Sequence, residues 1–142
     1  MLIFNDKYEF DTTNIQVRRF YMKGPGTNSA DKTTIFNADK LFDKYDSNLA
    51  KQLISKALET LPEYYDQLQN IYKQKDYKRL RQVAHTIKGM AMNIYTEALR
   101  ESAAKLEKAA GEKDQKKTKT EMEKIENVYS KTLKKLEEHV TN

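Results

Sequence analysis

The chain has 142 residues, with 26 Lys plus Arg against 21 Asp plus Glu and a net charge of +5, a length that fits one ordinary domain with a short extension. With only 4 Gly, 2 Pro and no Cys, the composition excludes collagenous, linker-like and turn-rich all-β chains. It also excludes a disulfide scaffold, a zinc–thiolate or iron–sulfur centre and a thiol nucleophile. No run of about 18 apolar residues is present to span a membrane, and the opening MLIFNDKYEF has no apolar core long enough for a signal peptide. The expected location is therefore intracellular: cytoplasmic, or nuclear in a eukaryotic host. Charges of both signs are interspersed along the chain, the pattern of a solvated, salt-bridged surface, which weighs against nucleic acid as the main partner.

Residues 1–32 read as an N-terminal extension and linker, and residues 33–142 as the folded domain. Two short apolar stretches, Leu2–Phe10 and Ile15–Met22, flank Asp11-Thr12-Thr13-Asn14, which predicts a weak β-hairpin or an extended arm. Gly24, Pro25 and Gly26 sit together in KGPGTNSADK, a linker by composition.

From Asn37 onward the pattern is helical. Asn37 can cap a short helix over ADKLFDKY, and Asp46 or Ser47 the next. That second helix runs from about Asn48 to Lys75 with an apolar stripe at Leu49, Leu53, Ala57, Leu61, Tyr64, Leu68 and Ile71. Pro62 falls inside it and predicts a bend rather than a break, because the stripe keeps its phase. Asp76 caps a third helix, from Tyr77 to about Ile94, and Thr96 a fourth that carries Leu99, Ala103, Leu106 and Ala110 and ends near Gly111. A lysine-rich connection leads to a fifth, with its stripe at Met122, Ile125, Tyr129, Leu133, Leu136 and Val140. Short connections and one stripe per helix predict an all-α fold: an antiparallel up-down four-helix bundle with an additional short N-terminal helix.

The third helix carries the chemistry. On a helical wheel, Leu80, Val83, Ala84, Ile87, Ala91 and Ile94 form one buried stripe, and His85 points about 140° away from Leu80. Arg81, Lys88, Gly89 and Met92 share the face of His85. A mid-helix Gly costs about 1 kcal/mol relative to Ala, and Gly89 one turn after His85 removes a side chain that would crowd the ring. Lys88 can reach a group attached to the imidazole, and Met92 is expected to face water as an adaptable apolar contact. An open histidine, a nearby cation and a smooth surface suit a nucleophilic imidazole that receives a charged group from a partner protein. On the residues alone the alternatives stay open: an ordinary surface histidine, a glycine marking close helix packing, and a stray exposed methionine. No second acid–base group is evident on that helix face.

The stretch Ala84-His85-Thr86-Ile87-Lys88-Gly89 resembles the signature of histidine-containing phosphotransfer (HPt) domains, His-x-aliphatic-Lys-Gly on the second helix of a four-helix bundle. Upstream, LPEYYDQLQNIYKQKDYKRLRQVAHTIKG is similar to the family's kinked helix, polar turn and histidine helix. Downstream, Asn93-Ile94 and EALRESAAKLEKAA continue the resemblance, which covers about residues 33–140. The resemblance implies that His85 is the phospho-accepting residue and that Lys88 stabilises the phosphate. It also implies that Arg81, Gln82, Gly89 and Met92 meet the partner. The partners implied are response-regulator receiver domains and a sensor or hybrid histidine kinase. The chain itself would hold no metal or cofactor, Mg²⁺ residing on the receiver, and would act as a monomeric relay intermediate without kinase activity of its own. Tyr95 departs from the family pattern, which usually has a small residue after Asn-Ile, so the end of the histidine helix is expected to differ.

His139, in the last turn of the final helix, reads as an ordinary surface residue, and the tyrosines as core-edge side chains. No phosphate loop, nucleophile elbow or zinc signature is present. Two other functions fit the sequence: a scaffold that binds receivers without relaying phosphate, and a basic helical protein that binds nucleic acid through its lysine-rich final hairpin.

Overall fold

The computed structural model describes residues 32–140. The hairpin or arm expected over 1–23, and the linker as far as residue 31, lie outside the described residues. Within them the protein is all-helical, with five helices: α1 (Ala38–Lys44), α2 (Ser47–Lys73), α3 (Tyr77–Asn93), α4 (Glu97–Gly111) and α5 (Gln115–Glu138). The ends are set by local chemistry. Asn37, Asp46, Asp76 and Asp114 each turn a side-chain oxygen back to a backbone N–H of the first turn, at 3.2, 2.9, 3.1 and 3.0 Å. Thr96 occupies the N-cap of α4 but does not cap it in this way. Its hydroxyl instead donates to the Ala91 carbonyl at 3.1 Å, tying the start of α4 to the end of α3.

The three connections from α2 to α5 repeat one device. Lys75, Tyr95 and Lys113 adopt left-handed φ values of 57°, 60° and 55°. The residue after each donates its N–H to the carbonyl five positions back: Asp76 to Ile71 at 3.3 Å, Thr96 to Ala91 at 3.0 Å, Asp114 to Ala109 at 3.2 Å. The left-handed residue itself bonds three positions back, to Tyr72, Met92 and Ala110 respectively. This is a Schellman ending, and its last residue is already the N-cap of the next helix. Tyr95 thus takes the left-handed position that glycine usually fills, and its ring packs half-buried on the core.

The helices pack in sequence, α2 on α3, α3 on α4 and α4 on α5, with α2 also touching α5 and α1 resting on α2. The expected stripe of α3 is buried throughout. In α2 the buried residues are Ala50, Ile54, Ala57, Thr60, Leu61, Tyr64, Leu68 and Ile71. The expected start at Leu49 and Leu53 is therefore one residue out of phase, although Leu53 still packs partly buried against the core. Steps of three and four counted back from Leu61 reach Ile54 and Ala50, and Leu49 is left exposed at 39%. The helix continues through Pro62 without a break. Tyr64 is a full core residue rather than a core-edge one. Tyr65 and Tyr129 stack at 4.0 Å between α2 and α5. Burial chiefly, and then the negative charge of Asp66, push the Tyr129 hydroxyl up to about 12.

The segment before α1 closes over the α3–α4 corner. Asn37 N–H donates to the Tyr95 carbonyl at 2.9 Å, and Ala98 N–H donates to the Thr34 carbonyl at 2.8 Å. His139, expected as an ordinary surface residue, packs between two rings of this segment and α1: Phe36 edge-on at 5.0 Å and Phe42 at 6.4 Å. Its Nδ1–H donates to the Lys135 carbonyl at 3.0 Å.

A non-glycine residue in the left-handed region carries about 1 kcal/mol of backbone cost that glycine does not. Lys113 is exposed and makes no ion pair among the described residues, so Lys113→Gly should stabilise the fold by about that amount. A higher urea midpoint at unchanged m-value is the expected result. Tyr95→Gly should not gain, because it also removes a ring packed on the core.

Candidate functional site

His85 lies in the middle of α3 with its side chain 51% exposed, as its wheel position predicts. Arg81 and Gln82, one turn earlier, are also exposed, and Lys88 is half-buried. Two expected surface residues are not there. Met92 is buried, as is Gly89, so the open apolar and bare-backbone patch beyond His85 does not exist. The wheel treats α3 as flanked in the same way along its whole length. Burial on α3 in fact runs without interruption from Gly89 to Met92, toward the corner where the 34–37 segment bonds to Tyr95 and Ala98.

The residue that completes the site comes from α4. Glu107 Oε2 is 3.0 Å from His85 Nδ1, and its Oε1 is 2.8 Å from Lys88 Nζ. One carboxylate thus spans two side chains of α3, with only 17% of its own side chain exposed. Burial by itself would raise the Glu107 pKa. The hydrogen bonds from His85 and Lys88, and then their charges, outweigh it and bring the carboxyl down to about 2. Glu107 is therefore an anion across the whole physiological range. With the carboxylate accepting, His85 holds its proton on Nδ1, and in the neutral ring the lone pair belongs to Nε2.

The α3–α4 register that pairs His85 with Glu107 also brings Arg81 over Gly111, four residues away along each helix. A Cβ at Gly111 would stand 3.2 Å from Arg81 Cδ and 3.3 Å from Nε. The glycine at the end of α4 is thus a notch in which the arginine stem lies. Among the described residues, Arg81 has no carboxylate within ion-pair distance, and no group of three or more His, Cys, Asp and Glu is placed to hold a metal. No described helix is long and apolar enough to cross a membrane.

Residues 52–140 match the Hpt domain family. The match takes in α3, α4 and α5 whole and most of α2, well over half of the chain, and the protein belongs to the Hpt domain family. Hpt domains act in histidine phosphotransfer within phosphorelays, where they meet receiver domains and kinases. Comparison with curated proteins returns no match, and neither does comparison with solved structures.

The sequence of α3 by itself does not reveal Glu107, because the acid–base partner of His85 comes from a different helix. A signal was present. Glu107 lies four residues after Ala103 and three before Ala110, inside the apolar stripe of α4. A carboxylate at that spacing needs a cation or donor on the facing helix.

The depressed Glu107 pKa links to stability. The folded value, about 2, lies below the ordinary 4.5. The stabilisation is therefore fully present above pH 4.5 and is lost as pH falls through about 2. Glu107→Gln should destabilise the protein by about 2–3 kcal/mol near pH 6. Urea unfolding of both proteins across the acid range should show this gap shrinking below pH 4.5; a gap independent of pH would mean the carboxylate charge is not what stabilises.

Proposed function

We propose that this protein is a relay intermediate that takes a phosphoryl group from the aspartyl phosphate of one receiver domain onto His85 and passes it to the aspartate of another. The observation that carries this reading is the Glu107 bridge between His85 Nδ1 and Lys88, beside an exposed imidazole in a family whose business is histidine phosphotransfer. In this reading residues 33–142 form the relay domain, and α2–α5 form an antiparallel up-down bundle whose second helix presents the histidine. The chain acts as a monomer and has no kinase activity of its own.

The chemistry follows from the tautomer. His85 Nε2 attacks the phosphorus of the aspartyl phosphate. A P–N bond forms, the P–O bond to the carboxylate breaks, and the carboxylate leaves with the bonding pair. Nδ1 keeps its proton throughout, so the ring becomes cationic as the bond forms. An anion already fixed at 3.0 Å from Nδ1 stabilises that charge without reorganisation. Return of the phosphoryl group to a second aspartate leaves the ring neutral again, with no proton taken up or released. Lys88, held at 2.8 Å from the same carboxylate, stands one turn from the phosphoryl group and shields it from the negative charge of Glu107. Arg81 and Gln82 lie on the exposed α3 surface that meets the receiver. The receiver supplies the aspartate and Mg²⁺, so phosphoryl transfer needs positioning and charge compensation from this chain.

Incubation of the chain with a panel of phosphorylated receivers tests the reading. Transfer should give a label on His85 that is labile in acid and stable in base, as a phosphoramidate is. His85→Gln should abolish it while costing about 1 kcal/mol of stability, because it removes one of the two donors to Glu107. Lys88→Ala should slow transfer by about tenfold without abolishing it. Persistence of the label in His85→Gln would refute the assignment.

A further inference from the structure

The positive charge of this protein is concentrated at one end of its helices. Residues 73–81, spanning the α2–α3 corner, contain Lys73, Lys75, Lys78, Arg79 and Arg81 with Asp76 as the single acid. Residues 108–119, spanning the α4–α5 corner, contain Lys108, Lys113, Lys116, Lys117 and Lys119 with Glu112 and Asp114. Ten cations against three acids give these two segments a net +7, whereas the chain as a whole is +5. The rest of the molecule is therefore net −2.

Contact between Arg81 and Gly111 brings the two corners together in space. All ten cations are exposed, and the one ion pair made by any of them among the described residues is Lys117–Glu112, at 4.0 Å. Two of the three acids, Asp76 and Asp114, are the N-caps of α3 and α5. Lys78 and Arg79 sit in the first turn of α3, and Lys116 and Lys117 in the first turn of α5. Those first turns hold no acidic residue, although the helix dipole disfavours cations there. Helix stability alone does not account for that placement.

This end begins one turn from His85, at Arg81. The site itself adds no net charge, because the carboxylate of Glu107 already offsets Lys88.

We propose that this basic end is the surface that captures and orients the receiver partner, recognising an acidic rim around the receiver's aspartate. The inference rests on the relay function proposed above. An uncompensated patch of this size accelerates encounter with an acidic partner by tenfold or more at low salt and loses that advantage as salt screens it. Nucleic acid is the competing occupant, and the test separates the two.

The experiment uses the full chain and the receiver domain that labels His85 fastest in the panel. Lys75→Gln, Lys113→Gln and Lys116→Gln are combined in one variant, and Lys44→Gln, Lys56→Gln and Lys131→Gln in a control that loses the same charge elsewhere. The second-order transfer rate constant is measured at about 50 and about 300 mM NaCl. Labelling of His85 by the small donor phosphoramidate is measured alongside. The basic-end variant should lose about tenfold at low salt and show a flatter salt dependence, with phosphoramidate labelling unchanged and the control close to wild type.

Equal losses in both variants, or a wild-type rate indifferent to salt, would overturn the docking assignment while leaving the relay function intact. Binding of a short DNA duplex at about 150 mM NaCl that is lost in the basic-end variant, with receiver transfer unaffected, would overturn it in favour of nucleic acid. Failure of phosphoramidate and of every receiver to label His85 would overturn the relay function and this inference with it.

Discussion

Three left-handed residues, Lys75, Tyr95 and Lys113, hold the molecule in register. At each corner the carbonyls of the outgoing helix are closed by the N–H groups of the connection, and the closing residue at once begins the next helix. Such a corner has no slack. The chain cannot rotate one helix against the next without breaking those bonds or leaving the left-handed well. The facing surfaces of α3 and α4 are therefore set by backbone geometry as much as by side-chain packing. A turn of slippage would separate His85 from Glu107, and the cost would appear first in the chemistry.

Within that frame the site is a small electrostatic device. Glu107 sits in a mostly enclosed position that would by itself favour its neutral form. Two donors from α3 keep it charged, and its charge in turn fixes which imidazole nitrogen carries the proton. Neither helix could do this alone. The histidine and lysine are one turn apart on α3, and the carboxylate that joins them is 22 residues from His85 along the chain. The bridge also contributes to the packing of the two helices, so the group that tunes the histidine also braces the bundle.

Much of this was legible in the residues. Periodicity and cap chemistry located every helix within the described residues to within a few positions, because an Asn or Asp before an apolar stripe has a definite mechanical role. The exposure of His85 followed from its wheel angle. Other features are not legible in one helix by itself. Leu49 is apolar, yet the phase set by Leu61 excludes it from the α2 stripe. Met92 has no partner on its own helix, yet burial is continuous from Gly89 to Met92. The importance of Glu107 depends on what faces it across α3 and α4. His139 is a similar case: nothing in its local sequence reveals that Phe36 and Phe42 lie against it.

The aromatic contact at His139 bears on how the domain could be joined to others. Phe36, near the start of the described chain, and His139, near its end, have ring centroids 5.0 Å apart. The described residues thus begin and end at nearly the same point, at the opposite end of α4 and α5 from the corner that carries Gly111 and Lys113. A unit of this shape can be spliced into a surface loop of a larger protein with little distortion of its host, since the gap it must bridge is short. Tethered in that way, it would project the imidazole and the far corner outward, like a plug held by its base.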